Sequence, residues 1–116
     1  MAAVPLNRFK TIRAGITTES VEVYTCPTGV SAVVLLAQTT NLTSDSTAQV
    51  TAYHSRATEA QIDYKFANNA LVPPNDSLNL VPDGRLVLET SDSIKIEASA
   101  ENELNFVLSI LESAKQ

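Results

Sequence analysis

The chain has 116 residues, of which 44% are hydrophobic and 18% charged, and this length suits a single domain with one core. Its formal net charge of −5 argues against a nucleic-acid partner, which calls for clustered lysine and arginine. The first residues show no signal peptide, and no apolar run approaches the roughly 20 residues that span a bilayer. A single cysteine, Cys26, excludes an internal disulfide. We therefore expect a soluble protein made in the cytoplasm, with no membrane span.

The beginning of the chain predicts an arm followed by two strands. Residues 1–7 are expected to form a flexible N-terminal arm, since Pro5 offers no N–H to a ladder. Residues 8–14 predict a first strand, and residues 20–25 a second, half-buried strand. The second prediction depends on the period of two, in which Val21 and Val23 alternate with Glu22 and Tyr24.

Residues 29–37 read Gly-Val-Ser-Ala-Val-Val-Leu-Leu-Ala, the longest run in the chain that suits burial on both faces. Pro27 and Gly29 punctuate its start as a turn does. A short run rich in β-branched residues is typical of a strand covered on both faces. Periodicity alone also fits a buried helix, but the extended segments on either side favour a strand. We predict that this run is the central strand of the fold.

The middle of the chain alternates strands with polar loops. Residues 41–46 are a loop of Asn, Ser, Thr and Asp, and residues 48–53 return to the period of two. Residues 62–66 form the clearest amphipathic strand of this part of the chain. Residues 68–76 hold two adjacent asparagines and two adjacent prolines, so we predict a loop that lies over an edge of the sheet.

The last third predicts three further short strands over residues 78–80, 85–89 and 93–99. Residues 104–111 fit two patterns, and the two preceding strands favour the strand over the helix. The helix would bury Leu104, Val107, Leu108 and Leu111, whereas the strand would bury Leu104, Phe106, Leu108 and Ile110.

About eight short strands, with turns at intervals of roughly ten residues, predict an all-β protein. Residues 8–116 are expected to form a single-domain antiparallel β-sandwich, either immunoglobulin-like or jelly-roll-like.

Few residues offer chemistry. His54 is the only histidine, so a metal site would lack further nitrogen ligands, and no Gly-x-Ser-x-Gly nucleophile elbow occurs. Cys26, beside Pro27 in a predicted turn, is interpreted as a structural thiol. The sequence therefore gives no support for an enzyme, a cofactor or a metal.

Two clusters of polar residues have ordinary surface interpretations. The acids near the end of the chain contain no Asp-x-Asp-x-Asp-Gly calcium loop, so a solvated face is expected for Asp83, Glu89, Asp92, Glu97, Glu101 and Glu103. A carbohydrate platform would use Tyr24, Tyr53 and Tyr64, but without tryptophan these are better explained as strand-surface residues.

Six segments carry a resemblance to a known group of proteins. They are residues 7–12 (Asn-Arg-Phe-Lys-Thr-Ile), 24–30 (Tyr-Thr-Cys-Pro-Thr-Gly-Val), 33–38 (Val-Val-Leu-Leu-Ala-Gln), 84–89 (Gly-Arg-Leu-Val-Leu-Glu), 92–96 (Asp-Ser-Ile-Lys-Ile) and 108–112 (Leu-Ser-Ile-Leu-Glu). Together they resemble small virion structural proteins of tailed bacteriophages, notably those of marine and cyanobacterial hosts. The resemblance implies a β-sandwich subunit present in many copies on the particle. It carries over no functional residue, because no catalytic motif defines these proteins.

We therefore expect a non-enzymatic virion protein of the tail, baseplate or fibre, which assembles with itself and with other virion proteins. The alternatives are a capsid decoration (cement) protein and a carbohydrate-binding module for host recognition. Exposed strand edges and loops suit such assembly. The candidate docking segments are the arm and the predicted loop, with Met1, Val4, Pro5, Leu6, Asn68, Asn69, Pro73 and Pro74 as docking residues.

Overall fold

The computed structural model describes residues 7–60, 62–82 and 85–114. Strands account for most of these residues, and the described part contains no α-helix, only a 3₁₀ turn at Ala57–Glu59. The strands are β1 (Asn7–Gly15), β2 (Val21–Thr25), β3 (Val30–Asn41), β4 (Ala48–Arg56), β5 (Ile62–Val72), β6 (Ser77–Asn79), β7 (Leu86–Leu88), β8 (Asp92–Ala98) and β9 (Leu104–Ala114).

The strands form two antiparallel sheets. The first sheet has the order β1-β9-β3-β6, with β7 also paired to β3, and the second has the order β2-β8-β4-β5. A jelly roll is one long hairpin rolled up into two layers. The strand pairs of such a hairpin are those seen here, namely β1–β9, β2–β8, β3–β6/β7 and β4–β5. The predicted β-sandwich is confirmed, and the topology selects the jelly-roll alternative. The described residues form nine strands where about eight were predicted, because β6 and β7 together take the place of one strand along β3.

The core lies between the inner faces of the two sheets. Burying a large aliphatic or aromatic side chain contributes about 1.5–3 kcal/mol relative to leaving it exposed. Both layers supply such side chains, since the largest fully buried ones are Phe106, Leu88, Ile94, Ile96, Leu104, Leu108, Ile110, Val34, Val50 and Val72.

The last segment is a strand, as the period of two favoured. β9 lies inside the first sheet, paired with β1 on one side and β3 on the other. Its buried apolar side chains are Leu104, Phe106, Leu108 and Ile110, the set predicted for the strand. Among the described residues, no helix is long and apolar enough to cross a membrane.

β3 is covered on one face only, so the prediction of burial on both faces is wrong. Ala32, Val34 and Ala37 point into the core, whereas Val33 and Leu35 are partly or fully exposed on the other side. The strand is interior within its sheet, but a sandwich has two layers, and an outer layer would be needed to cover the second face. Val33 and Leu35 therefore lie on an apolar outer surface.

The second strand departs from the predicted alternation after Glu22. Tyr24 is buried because the pairing of β2 with β8 shifts register between Glu22 and Tyr24 and sets Tyr24 opposite the core residue Ile94. Val21 lies before the shift, opposite Ile96, and is 46% exposed. An irregularity of this kind moves the following side chains to the opposite face.

The predicted loop over residues 68–76 is wrong in its first half. Asn68 and Asn69 belong to β5, and only residues 73–76 form the turn to β6. The register of β4 and β5 shifts between Val50 and Ala52, and Asn69 takes a φ of 49°, a conformation that asparagine tolerates better than most residues. The asparagines thus mark a bulge in a strand rather than the end of one.

Candidate functional site

A row of apolar side chains crosses the outer face of the first sheet. Phe9 in β1 pairs with Leu111 in β9, Leu111 pairs with Val33 in β3, and Val33 pairs with Val87 in β7. Phe9 is 74% exposed and Val87 is 53% exposed. We call these four residues the apolar stripe; with strands about 4.8 Å apart, the stripe is about 14 Å long.

The alternation of each strand places these side chains on the outside. Val34, Ile110 and Leu88, each next in sequence to a stripe residue, are fully buried in the core, and successive side chains of a strand point to opposite faces. The stripe is therefore a consequence of apolar residues at consecutive positions in β3, β7 and β9.

A bulge in β3 enlarges the apolar surface. The pairing of β3 with β9 shifts between Val34 and Leu36, so that Leu35 is the extra residue. Leu35 is 40% exposed. Bulges re-aim side chains in this way and are common next to functional surfaces.

Polar groups border the stripe on one side. A shallow groove of about 560 Å³ runs along β1 and β9. Its lining includes Thr11, Arg13, Asn105 and Val107. The stripe and this groove share one outer face, on which Arg13 pairs with Val107, four residues along β1 from Phe9.

The outer face of the second sheet has the opposite character. Glu22, Lys95, Tyr53 and Lys65 pair in one row across β2, β8, β4 and β5. The Lys95 ammonium lies 3.2 Å from a carboxylate oxygen of Asp63, Tyr53 donates a hydrogen bond to Glu97, and the Lys65 ammonium lies 5.9 Å from the centre of the Tyr53 ring. The outer face of the second sheet is therefore a solvated surface of paired charges. The outer face of the first sheet, which exposes apolar side chains, is the better candidate for binding another protein.

Asp92 is fully buried, so the expectation of a solvated acidic face is wrong for this residue. Its carboxylate accepts hydrogen bonds from Arg56 Nε at 3.0 Å, from the Glu89 N–H at 2.9 Å and from His54 Nε2 at 2.9 Å. Burial by itself would raise the pKa of Asp92, but these hydrogen bonds outweigh burial and hold the pKa at about 2. Arg56 also contacts Glu89, with 2.9 Å between Nη2 and Oε2.

Asp92, Arg56, His54 and Glu89 form what we call the Asp92 cluster. It joins the end of β4 to the turn that leads into β8, and it places His54 against a carboxylate. In the described residues, no group of three or more His, Cys, Asp or Glu side chains is placed to hold a metal ion. Cys26 is buried, and its thiol donates to the carbonyl oxygen of Val30 at 3.3 Å.

A second buried polar pair ties the two sheets together. The Tyr24 hydroxyl in β2 donates a 2.6 Å hydrogen bond to Glu112 Oε2 in β9. Burial, reinforced by this carboxylate, raises the pKa of Tyr24 well above its ordinary value. The Lys10 ammonium lies 3.9 Å from the same carboxylate, so Glu112 has a cationic neighbour as well as the phenol.

The structure describes four of the eight docking residues predicted from the sequence, and these four lie on two different elements. Met1, Val4, Pro5 and Leu6 lie outside the described residues, and β1 begins at Asn7, which the sequence assigned to the arm. Asn68 and Asn69 lie in edge strand β5, where the Asn69 N–H donates to Thr51 Oγ1 at 3.0 Å. Pro73 and Pro74 lie in the turn before β6, with Pro73 exposed.

The three tyrosines do not form a platform. Tyr24 is buried between the sheets, Tyr53 lies on the outer face of the second sheet, and Tyr64 is exposed on the opposite side of β5. Sequence reasoning missed the apolar stripe, although the sequence shows apolar residues at outward-facing positions of these strands, where polar residues are expected. These residues are Phe9, Val33, Val87 and Leu111.

No protein-family model matches the chain, and no curated protein is similar to it in sequence. Among solved structures, a chain of Bacillus endospore appendages, which form disulfide-linked pili, has a TM-score of 0.56 at 10% identity, with 100% of this chain and 98% of that chain covered. A chain of the capsid of Helicobacter pylori bacteriophage KHP30 has a TM-score of 0.51 at 11% identity, with 97% and 90% covered. These likenesses establish a shared fold.

Proposed function

We propose that this protein is a non-enzymatic structural subunit of a bacteriophage particle, present in many copies and attached to a neighbouring virion protein through the apolar stripe. The exposed stripe is the observation that carries the proposal. Single exposed apolar residues are ordinary, whereas contiguous ones bordered by polar groups are typical of interaction sites. The neighbouring surface would be apolar, with an acidic group opposite Arg13.

The fold supports this function without specifying it. Jelly rolls occur in viral capsid proteins, but also in lectins and cupins, and a fold alone does not determine a function. The likeness to a chain of the KHP30 capsid and to a chain of disulfide-linked pili adds two assemblies built from this architecture. With its single cysteine buried, this chain would assemble by packing rather than by disulfides.

Two places on the particle are candidates. The resemblance of the sequence to virion proteins of tailed phages supports a tail, baseplate or fibre position, and we propose this position first. The likeness to the KHP30 capsid chain supports the second candidate, a decoration protein on the capsid surface.

Antibody-gold labelling of purified particles distinguishes these positions. Label along the tail or at its tip supports the first candidate, and label spread over the head supports the second. Protein found only in the lysate, with no label on intact particles, would overturn the virion proposal.

The stripe itself is tested by Phe9→Ser combined with Val87→Ser. Both side chains are exposed, so we expect the free energy of unfolding to stay within about 0.5 kcal/mol of the wild type. Attachment to particles should weaken by tenfold or more, since about 1.4 kcal/mol corresponds to a factor of ten, and each lost contact is worth about that much. Leu42→Ser is the matched control, because Leu42 is equally exposed but lies in the loop after β3.

The segments predicted from the sequence are proposed as secondary contacts. Deleting residues 1–6 leaves β1 complete and asks whether the arm contributes to assembly. Unchanged incorporation into particles would show that the arm has no part in docking, and the turn with Pro73 and Pro74 would then be the segment to alter.

A further inference from the structure

Strand β5, at one edge of the second sheet, differs from the other edge strands of the described residues. β1 is long but basic, with Arg8, Lys10 and Arg13 and no acid. β2 has five residues and a register shift, and β6 and β7 have three residues each. β5 has eleven residues and pairs only with β4. Short strands, bulges and lysines on an edge resist pairing with another chain, and the length of β5 leaves a regular stretch at residues 62–65 before its bulges.

The first half of β5 has two distinct sides. Asp63 and Lys65 share the side of the outer, charged face, where their partners in β4 are Ser55 and Tyr53. Ile62 and Tyr64 pair with Arg56 and His54 on the other side, which faces the first sheet. Ile62 is nevertheless 55% exposed and Tyr64 66% exposed.

An apolar groove continues this side of the strand. Phe66, next in the alternation after Tyr64, lines a groove of about 320 Å³ together with Leu80, Val81, Pro82 and Leu86. The edge therefore offers backbone groups with no second strand partner and an apolar set on one side. On the other side it carries two opposite charges, and their present partners within the chain are Lys95 for Asp63 and Asn68 for Lys65.

We propose that two copies of this chain pair through β5, antiparallel, about a twofold axis at Tyr64. In this register Asp63 lies opposite Lys65 of the second copy, and Lys65 opposite its Asp63. Ile62 lies opposite Phe66 of the second copy, and the two Tyr64 side chains meet at the axis. Opposite charges and apolar pairs directly across two strands both stabilise a sheet, and a twofold contact uses the same patch on both subunits.

The charges select this register over its neighbours. An axis at Asp63 would set two carboxylates against each other, and an axis at Lys65 would set two ammonium groups against each other; both are unfavourable. The pairing of β5 with β4 is regular from Ile62 to Lys65 and then shifts at Phe66 and again at Asn68 and Asn69, so the new ladder is centred on residues 63–65 and ends at the two Ile62–Phe66 pairs. A contact of this size is at the small end of specific interfaces, so we expect dimers that dissociate on dilution.

This inference deepens the proposed function, since it names a contact between copies, but it does not depend on the particle. The dimer joins the two four-stranded second sheets edge to edge into one eight-stranded layer and leaves the apolar stripe of each copy free. Particle labelling tests the proposed function, and a solution measurement on the pure chain tests the dimer, so either can fail alone.

The test is sedimentation velocity of the full chain at rising concentration, up to about 1 mM. We expect a dimer for the wild type and at least a tenfold weaker dimer for Asp63→Lys and for Lys65→Asp, each of which sets like charges opposite each other. The double variant carrying both changes restores opposite charges across the axis and should regain the dimer. Glu22→Lys makes the same charge change as Asp63→Lys on exposed β2 and should leave the dimer intact.

Three results would overturn the proposal. The wild type could stay monomeric throughout, which would free the edge for a strand of a different protein. The single variants could dimerise like the wild type, which would place the contact elsewhere, and loss of that dimer in the Phe9→Ser variant would point to the stripe. The double variant could fail to recover while its circular dichroism and melting temperature match the wild type.

Discussion

The Asp92 carboxylate is held ionised in the interior by four hydrogen bonds from three residues. An isolated buried carboxylate would be strongly unfavourable, and here Arg56, His54 and the Glu89 N–H compensate for the lost water. The same bonds make the stability of the protein depend on pH, because they favour the ionised form in the folded state only.

The folded-state pKa of Asp92, about 2, lies below its ordinary value of 3.8, so its contribution to stability is complete above about pH 4 and is lost as the pH falls toward 2. A difference of this size corresponds to about 2 kcal/mol. Urea unfolding at a series of pH values should show this loss in the wild type. In Asp92→Asn the protein should be less stable at pH 7, and its stability should fall less between pH 4 and pH 2.

Asp45→Asn is the control for this measurement. Asp45 is exposed in the loop before β4, so removing its charge should leave the acid-induced fall as large as in the wild type. An equal fall in Asp92→Asn and in the wild type would contradict the role assigned to the Asp92 cluster.

Sequence reasoning at this scale identified residue types but not their environments. Asp92 stands after Thr90 and Ser91 in a typical turn, and nothing local distinguishes a turn carboxylate in water from one that closes over Arg56 and His54. The partners lie 36 and 38 positions away, so only the folded pairing of β4 with β8 brings them together.

At the scale of elements, the two sheets are joined by a polar contact inside an apolar core. Tyr24 of β2 and Glu112 of β9 belong to different layers, and both are buried. Removing the phenol hydroxyl leaves a buried carboxylate oxygen without its donor, which is costly because water cannot replace it.

Tyr24→Phe should therefore lower the free energy of unfolding by about 1–3 kcal/mol, measured by urea denaturation at neutral pH. Tyr53→Phe is a matched control, since it removes another Tyr–Glu hydrogen bond, but from the half-exposed outer face of the second sheet. Its effect should be below about 1 kcal/mol, as for surface changes in general. Equal losses in the two variants would contradict the stabilising role of the inter-sheet contact.

The elements that follow a strict alternation were predictable, and those with bulges were not. β9 buries Leu104, Phe106 and Leu108 as its pattern predicts, because no register shift separates them. The asparagines of β5 were interpreted as a loop, since Asn is common in turns and the sequence does not show that a strand resumes after a bulge. The exposed face of β3 was missed for a different reason: how many layers a sheet carries is a tertiary property.

At the scale of the whole molecule, the chain is dominated by contacts between distant residues. The ladder of β1 with β9 begins with Asn7 paired to Ser113, and every pair of the rolled hairpin except β4–β5 is long-range. The spacing of strands and turns predicted an all-β sandwich, but an immunoglobulin-like arrangement would satisfy the same alternation, so the jelly roll emerged only from the pairing.

This topology predicts slow folding. Loop closure must precede most native contacts, and β-rich domains of high contact order fold in milliseconds to seconds. Stopped-flow refolding followed by tyrosine fluorescence should show relaxation in this range, and relaxation within microseconds would contradict the observed topology. The chain has no tryptophan, so tyrosine is the natural probe.

The pairing of β1 with β9 also fixes how the molecule responds to force. The Ser113 hydroxyl donates a 2.8 Å hydrogen bond to Asn7 Oδ1, so the start of β1 and the end of β9 leave the sheet at the same corner. Tension applied between these two points would separate β1 from β9 by breaking the hydrogen bonds of the ladder one after another, beginning at this corner. Tension along the strands of either sheet would instead load whole ladders together, so the molecule should resist force better when it is held by its faces than when it is held by the start of β1 and the end of β9.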